Sequence, residues 1–252
     1  MRDIMTITRW LCILMLILAG SSGAYANTPI LLYHHFQPIT SHMSKSMRRW
    51  SISPDKFKSQ LDWVSSHGFH TITMEELVGH LKHHLPLPLK PIVLSFDDGW
   101  KEHYTIVYPL LKKYHYVGTF FIITDSVGHS AYMNWGQIHQ LAADGMDIEA
   151  HTVTHPHLSA LKHAEAQKEI VESKRVLEER LHKPVTVLAY PFGSYNEDTI
   201  AITKAAGFEA AATVGLNDGY IYRADDSYTL VRYALEGGDS LEYLAYAKGF
   251  DK

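Results

Sequence analysis

The chain has 252 residues, of which 46% are hydrophobic and 20% charged, with a formal net charge of −4. That length holds one large domain, such as an α/β barrel, or two small ones, and the apolar share supports a sizeable core. The acidic balance, with no basic stripe, gives no footing for nucleic acid, and a single cysteine, Cys12, excludes a disulfide framework.

The first residues have the layout of a secretory signal. Arg2 and Arg9 flank the start, Leu11 to Leu18 is apolar, and Ala24-Tyr25-Ala26 is a small-x-small cleavage site. The apolar stretch from Trp10 to Ala19 is shorter than the roughly 20 residues a spanning helix needs. Cleavage after residue 26 is therefore expected over retention as an anchor, leaving residues 27–252 as one periplasmic or secreted domain. Cys12 would leave with the signal, and losing Arg2, Arg9 and Asp3 makes the net charge one unit more negative.

Pro29 to His34 reads as a buried strand. Ser53-Pro54 is an N-cap with proline at the first helical position, and Phe57, Leu61 and Val64 form one apolar face up to a stop at Gly68. Strand-like runs recur at residues 92–96, 118–123, 146–150, 185–190, 208–213 and 229–234, with helical stretches between most of them. The clearest helix spans residues 162–182, where Ala166, Ile170, Leu177 and Leu181 face one way. Repeated βα units imply parallel strands with helices outside, hence a doubly wound sheet or a barrel. No linker divides the chain, and in either architecture functional residues collect at the carboxyl ends of the strands.

Two polar clusters lie at such ends: Asp97-Asp98-Gly99 after Ile92 to Phe96, and His151 to His155 after Met146 to Ala150. One carboxylate and two imidazoles can hold a zinc-like ion with a position left open, and the spare carboxylate can act as a base, which together describe a metal hydrolase. Each cluster alone has a plainer explanation. Asp-Asp-Gly is more often a turn, and two histidines four apart arise by chance in a chain with 17 of them. Pro156 disfavours the α conformation for His155, so the pair is expected on a turn leaving the strand. A third cluster, Ala189-Tyr190-Pro191-Phe192-Gly193, is either a strand stopped by proline and glycine or a rigid wall whose backbone N–H receives an oxyanion. His83, His84 and His163 sit in polar contexts and read as surface residues.

SFDDGW, HTVTHPHL and AYPFG, in this order and spacing, resemble the first three motifs of the polysaccharide deacetylases, carbohydrate esterase family four. Met133-Asn134-Trp135 through Leu158 resembles the family's segment leading into its histidine motif. Ile30-Leu31-Leu32-Tyr33-His34 resembles the opening strand of its exported bacterial members. The resemblance covers about residues 29–245. It implies a distorted (β/α) barrel of about seven parallel strands and a divalent metal, zinc before others, held by Asp98, His151 and His155. It further implies Asp97 as the general base towards the water nucleophile, and the backbone N–H of Phe192 at the oxyanion.

The chain departs from the family pattern twice. The usual arginine of the third motif falls at Ala189; Arg232, in the run 229–234, could reach the same carboxylate if a barrel closes, the plainer alternative being a surface ion pair. The late Leu-x-His motif is missing, as no histidine follows His182. In a closed barrel the first strand lies beside the last, so His34 could supply the acid that protonates the leaving amine, with His35 as the fallback because adjacent strand residues face opposite ways. The expected activity is removal of N-acetyl groups from a β-linked N-acetylglucosamine polysaccharide by a monomer. The alternatives are an O-acetyl esterase on xylan or another acetylated glycan, and a catalytically silent carbohydrate-binding protein. Trp100, Trp135 and Tyr195 could stack on sugar rings, with packing the default for Trp135. Loops 36–52 and 214–228 are expected to choose the polymer, and the ligand set could also accept cobalt, nickel or manganese.

Overall fold

The structure is a computed structural model in which residues 28–215 and 227–249 are described; the expected signal segment and most of the loop 214–228 lie outside them. In chain order the elements are β1 (Ile30–Tyr33), β2 (His35–Phe36), α1 (Lys45–Arg49), β3 (Ser51–Ile52), α2 (Pro54–Ser66), β4 (His70–Ile72), α3 (Met74–His83) and β5 (Pro91–Phe96). They continue as α4 (Tyr108–Tyr114), β6 (Thr119–Ile122), α5 (Trp135–Ala143), β7 (Asp147–Ala150), α6 (His163–Leu181) and β8 (Val187–Ala189). The last four are α7 (Glu197–Ala205), β9 (Ala210–Gly215), β10 (Leu230–Ala234) and α8 (Leu241–Lys248).

Strands β1, β5, β6, β7, β8, β9 and β10 pair in parallel, in that order, into a closed barrel. Leu31 of β1 is in register with Leu94 of β5 on one side and Tyr233 of β10 on the other. That double pairing excludes an open doubly wound sheet, and the barrel strands coincide with the seven runs read from sequence. β4 pairs only with the first half of β5, from His70↔Pro91 to Ile72↔Val93, leaving the second half to β6.

Alternation along each strand sorts the side chains into two layers. Ile30, Val93, Phe121, Val187, Ala189, Ala210, Ala212 and Leu230 form one cluster inside the barrel, completed by Met74, Leu77 and Val78 of α3. Leu31, Leu94, Ile148, Leu188 and Ala211 point outward onto Phe57 and Leu61 of α2, Ile138 and Leu141 of α5, and Ile170 and Leu177 of α6. Each fully buried side chain of this kind contributes about 1.5–3 kcal/mol. The helix α3 closes the amino end of the barrel: its Met74 N–H donates to Thr119 Oγ1 (2.8 Å) and its Glu75 N–H to Asp147 Oδ2 (3.3 Å), both on first residues of barrel strands. The carboxyl end stays open.

Local signals explain the helix starts. Ser53 Oγ accepts from Lys56 N ahead of Pro54, and Thr73 and Glu76 make a reciprocal capping box at α3. In α6 the buried face is Ala166, Ile170, Ser173 and Leu177, with Leu181 only half-buried. Ser173 fits there because its Oγ donates to Ile170 O (2.9 Å). Two acids are buried on the inward row of β7. Glu149 accepts from Thr186 N (2.9 Å), Val187 N (2.8 Å) and Thr186 Oγ1 (3.1 Å), taking the place of ladder bonds where β7 and β8 share a single register pair.

Candidate active site

The inward rows lead directly to the functional side chains. Ile30 and Leu32 are followed two residues on by His34, Val93 and Ser95 by Asp97, Glu149 by His151, and Leu230 by Arg232. A period of two thus carries four polar side chains to the open end of the barrel.

Asp97 continues β5, its N–H donating to Tyr33 O (3.0 Å). Asp98 and Gly99 then both take left-handed conformations, φ 77° and 79°. This is the feature that lets adjacent aspartates diverge, and it is strained for a non-glycine residue. Asp97 is buried and receives Arg232 as a fork, Nη1 to Oδ1 at 2.6 Å and Nη2 to Oδ2 at 2.7 Å. Arg232 is wholly buried, 5.0 Å over the Phe121 ring, so the surface ion pair is excluded. Burial alone would raise the Asp97 carboxyl, but Arg232 and His151 more than offset it and hold it well below the usual carboxylate range.

Asp98 faces the histidines. Its Oδ2 accepts from Trp100 Nε1 (2.9 Å), while Oδ1 is buried without a hydrogen-bond partner. His151, the first residue after β7, lies with Nδ1 2.8 Å from Ala189 O, where it must donate, so its Nε2 presents a lone pair. The next residues turn rather than coil: Thr152 and His155 have φ 65° and 63°, His155 N donates to Thr152 Oγ1, and Val153 N and Thr154 N both donate to Glu169 Oε2. His155 Nε2 comes within 3.1 Å of His151 Nε2 and 3.4 Å of Asp98 Oδ1, with His151 Nε2 3.6 Å from the same oxygen. Burial, and then His151 beside it, push the His155 imidazole down to about 4. Two imidazole nitrogens and an unpartnered carboxylate oxygen, all within 4.8 Å of one another, fit a divalent cation in donor type and spacing.

His34 and His35 both reach the mouth, by different routes. The His34 ring lies 4.6 Å from Trp50 with Nδ1 buried and unpartnered, and burial lowers its pKa. His35 Nδ1 is 2.9 Å from Glu102 Oε1 and its ring 4.3 Å from Trp100. Phe192 has φ 57° and is 60% exposed, its ring 4.5 Å from His155 and 4.0 Å from His157, so it forms the rim. The next residue must be glycine: Gly193 has φ 66° and a Cβ there would sit 2.9 Å from Thr213 Oγ1. These groups, with Met47 and Trp50, surround a cavity of about 510 Å³.

Sequence reasoning missed Met47 and Trp50, as well as Glu102 and His103, in the segment after the aspartates. His103 opens a π-helical turn, is fully buried, and lies with Nε2 2.6 Å from His34 O; burial pushes it down to about 4. A lone histidine in a polar run carries no spacing signal that would have found it. Of the aromatic residues weighed for sugar stacking, Trp100 stacks on Tyr132 (4.3 Å), Trp135 packs on the core under Arg180, and Tyr195 stacks on Tyr190.

Comparison with known proteins supplies the class. A family model described as polysaccharide deacetylase matches residues 85–211. YxkH of Bacillus subtilis, assigned to the polysaccharide deacetylases, is 31% identical over 215 residues, covering 85% of this chain and 74% of that one. A poly-β-1,6-N-acetyl-D-glucosamine N-deacetylase of Staphylococcus aureus is 31% identical over 209 residues, covering 73% and 72%. Among solved structures, the deacetylase PplD of Streptococcus pyogenes superposes with a TM-score of 0.79 at 28% identity, covering 87% of this chain and 96% of its own. IcaB of Ammonifex degensii shares the fold, with a TM-score of 0.72 at 23% identity, covering 89% and 96%. The chain belongs to the polysaccharide deacetylase family, and it is a hydrolase of that family.

Proposed function

We propose that the protein is an exported, metal-dependent N-deacetylase acting on a β-linked N-acetylglucosamine polymer, with the β-1,6-linked form as its first candidate. The observation that carries this reading is the buried Asp97–Arg232 fork set against the Asp98, His151 and His155 cluster. The named activity of the S. aureus relative points to the polymer. Zinc suits two imidazoles and one carboxylate. When bound, the cation would supply Lewis acidity, polarising the acetyl carbonyl and bringing a water's pKa towards neutrality.

The remaining work falls to the chain's own groups. Asp97, kept ionised and fixed by Arg232, accepts the proton of the attacking water. The fork gives orientation at some cost in basicity. The Phe192 backbone N–H meets the oxyanion that develops on the acetyl group. His34 protonates the departing amine; burial lowers its pKa and so makes its imidazolium a stronger acid than a free one. Trp50 and Met47 shape the cavity wall that receives the sugar. Export rests on the signal-like layout of residues 1–26; among the described residues no helix is long and apolar enough to cross a membrane.

The test is acetate release by the zinc-loaded protein from β-1,6- and β-1,4-linked N-acetylglucosamine oligomers and from acetylated xylan, with Asp97→Asn as control. Release from the β-1,6 amide that the variant lacks supports the reading. Release from xylan alone would replace it with the O-acetyl esterase.

A further inference from the structure

The two histidines of the candidate metal site are held in different ways. His151 is fixed twice: its N–H donates to Ile122 O (3.0 Å), extending the pairing of β6 with β7, and its Nδ1 lies 2.8 Å from Ala189 O on β8. Among the described residues the His155 Nδ1 has no such anchor. Its ring is half-buried and borders Phe192 at 4.5 Å, so where His155 Nε2 points is set by the backbone of residues 152–155.

That backbone is one the chain does not take up unaided. Thr152 is β-branched and yet has φ 65°, and His155 has φ 63°. From one side, Thr124 N and Asp125 N, just past β6, donate to Thr152 O (3.2 Å) and Val153 O (3.1 Å). From the other side a single carboxylate gathers the donors. Val153 N (2.9 Å) and Thr154 N (2.8 Å) both reach Glu169 Oε2, and Thr154 Oγ1 donates to Glu169 Oε1 (2.7 Å). Two successive N–H groups converging on one oxygen form a concavity suited to an anion. Glu169 stands next to the buried Ile170 on α6, so the carboxylate is carried by a helix packed on the barrel.

We propose that Glu169 is a positioning residue of the metal centre: by clamping the strained turn it sets His155 beside His151 and Asp98 before a cation arrives. Glu169 belongs to neither the three-residue cluster nor the cavity wall, and it acts through the turn. The assignment rests on the reading of Asp98, His151 and His155 as a divalent-metal site. In Glu169→Ala the Val153 and Thr154 N–H groups pass to water, which the half-burial of Val153 and the exposure of Thr154 allow, so the barrel still folds. What is lost is the preset turn. Glu169→Gln keeps a carbonyl oxygen for both N–H groups and an amide that can donate to Thr154 Oγ1.

The test measures zinc dissociation constants, by competition with a chromophoric chelator, for the parent, Glu169→Ala, Glu169→Asp and Glu169→Gln proteins. The Tm of each metal-free protein and the visible spectrum of each cobalt-loaded form are recorded alongside. Zinc binding is expected to weaken by about 10- to 100-fold in Glu169→Ala, with an altered cobalt spectrum, and both are restored in Glu169→Gln. Glu169→Asp keeps the charge but is one carbon short of the turn, so it weakens zinc severalfold with little change in Tm. Parental affinity in Glu169→Asp overturns the proposal even where Glu169→Ala fails to fold. Parental affinity in a folded Glu169→Ala overturns it whatever the Tm does, because the glutamate would then support only the fold. Equal weakening in Glu169→Gln and Glu169→Ala overturns it as well, since the carboxylate would be acting by its charge and not by holding the turn. A parent protein that binds no divalent ion overturns the metal reading and this proposal with it.

Discussion

The Asp97–Arg232 fork is where a single residue decides most. Two opposite charges are removed from water together, which is tolerable only with good geometry, and the bidentate contacts at 2.6 and 2.7 Å provide it. Arg232→Ala would strand a buried carboxylate and is expected to cost about 3–5 kcal/mol in denaturant unfolding. Arg232→Lys keeps the charge and loses the fork; kcat should fall by about 10²-fold from misorientation of Asp97, and unchanged turnover would refute the positioning role. Because the Asp97 pKa is depressed on folding, the pair's stabilisation is full above the unfolded carboxylate value and fades only as pH falls through the folded one, well into acid. For His34, His34→Gln should lower amide turnover by about 10²–10⁴-fold but affect an aryl acetate far less, since that leaving group departs without a proton. Equal losses on both substrates would remove the acid role. Asp97, Asp98, His151 and His155 were legible because each ends or follows a strand run. Arg232 and His34 were legible only once a closed barrel was assumed. His103 and Trp50 were not, because tertiary packing alone gives them their place: Phe36, Phe96 and Phe120 surround the His103 ring.

At the scale of elements, β7 carries an unusual load for four residues. Asp147 and Glu149 are both buried, and burial raises both, with the Asp147 charge adding to Glu149 and Lys183 at 3.5 Å easing Asp147. The folded state therefore holds protons that the unfolded chain has released. Their contribution is fully present below the unfolded carboxylate values and is lost as pH rises towards the folded ones. The buried His34 and His103, with lowered values, act the other way and lose stability as pH falls below the ordinary imidazole range. Glu149→Gln isolates the first effect: the drop in Tm between pH 5 and pH 8 should shrink relative to the parent protein, and an unaltered drop would mean that Glu149 is ionised throughout. The helix caps are more conventional; Ser53→Ala should cost about 0.5–2 kcal/mol in urea unfolding. The α2 and α6 periodicities were legible as written. The short α1 and the paired β2 and β3 were not, since each is too brief to leave a periodic trace and is held by neighbours.

For the whole molecule, closure is the decisive event. β1 lies between β5 and β10, so Arg232 meets an aspartate 135 residues earlier in the chain, and His34 comes to the same mouth. The alternating runs left a doubly wound sheet and a barrel both open and only the family resemblance pointed to the barrel, while the plugging of its amino end by α3 became visible only in three dimensions, because an amphipathic helix reads alike whether it covers a barrel or stoppers it. Chelation should abolish turnover and lower Tm, and zinc at 100 times its Kd should restore about 2.7 kcal/mol. The most direct test is the turnover of Asp97→Asn protein on a β-1,6-linked N-acetylglucosamine oligomer, with its metal content measured on the same sample. One divalent ion per chain with turnover reduced at least a thousandfold is the predicted result. Turnover near that of the parent protein, with the ion in place, would contradict the assignment of Asp97 as the base and with it the proposed chemistry.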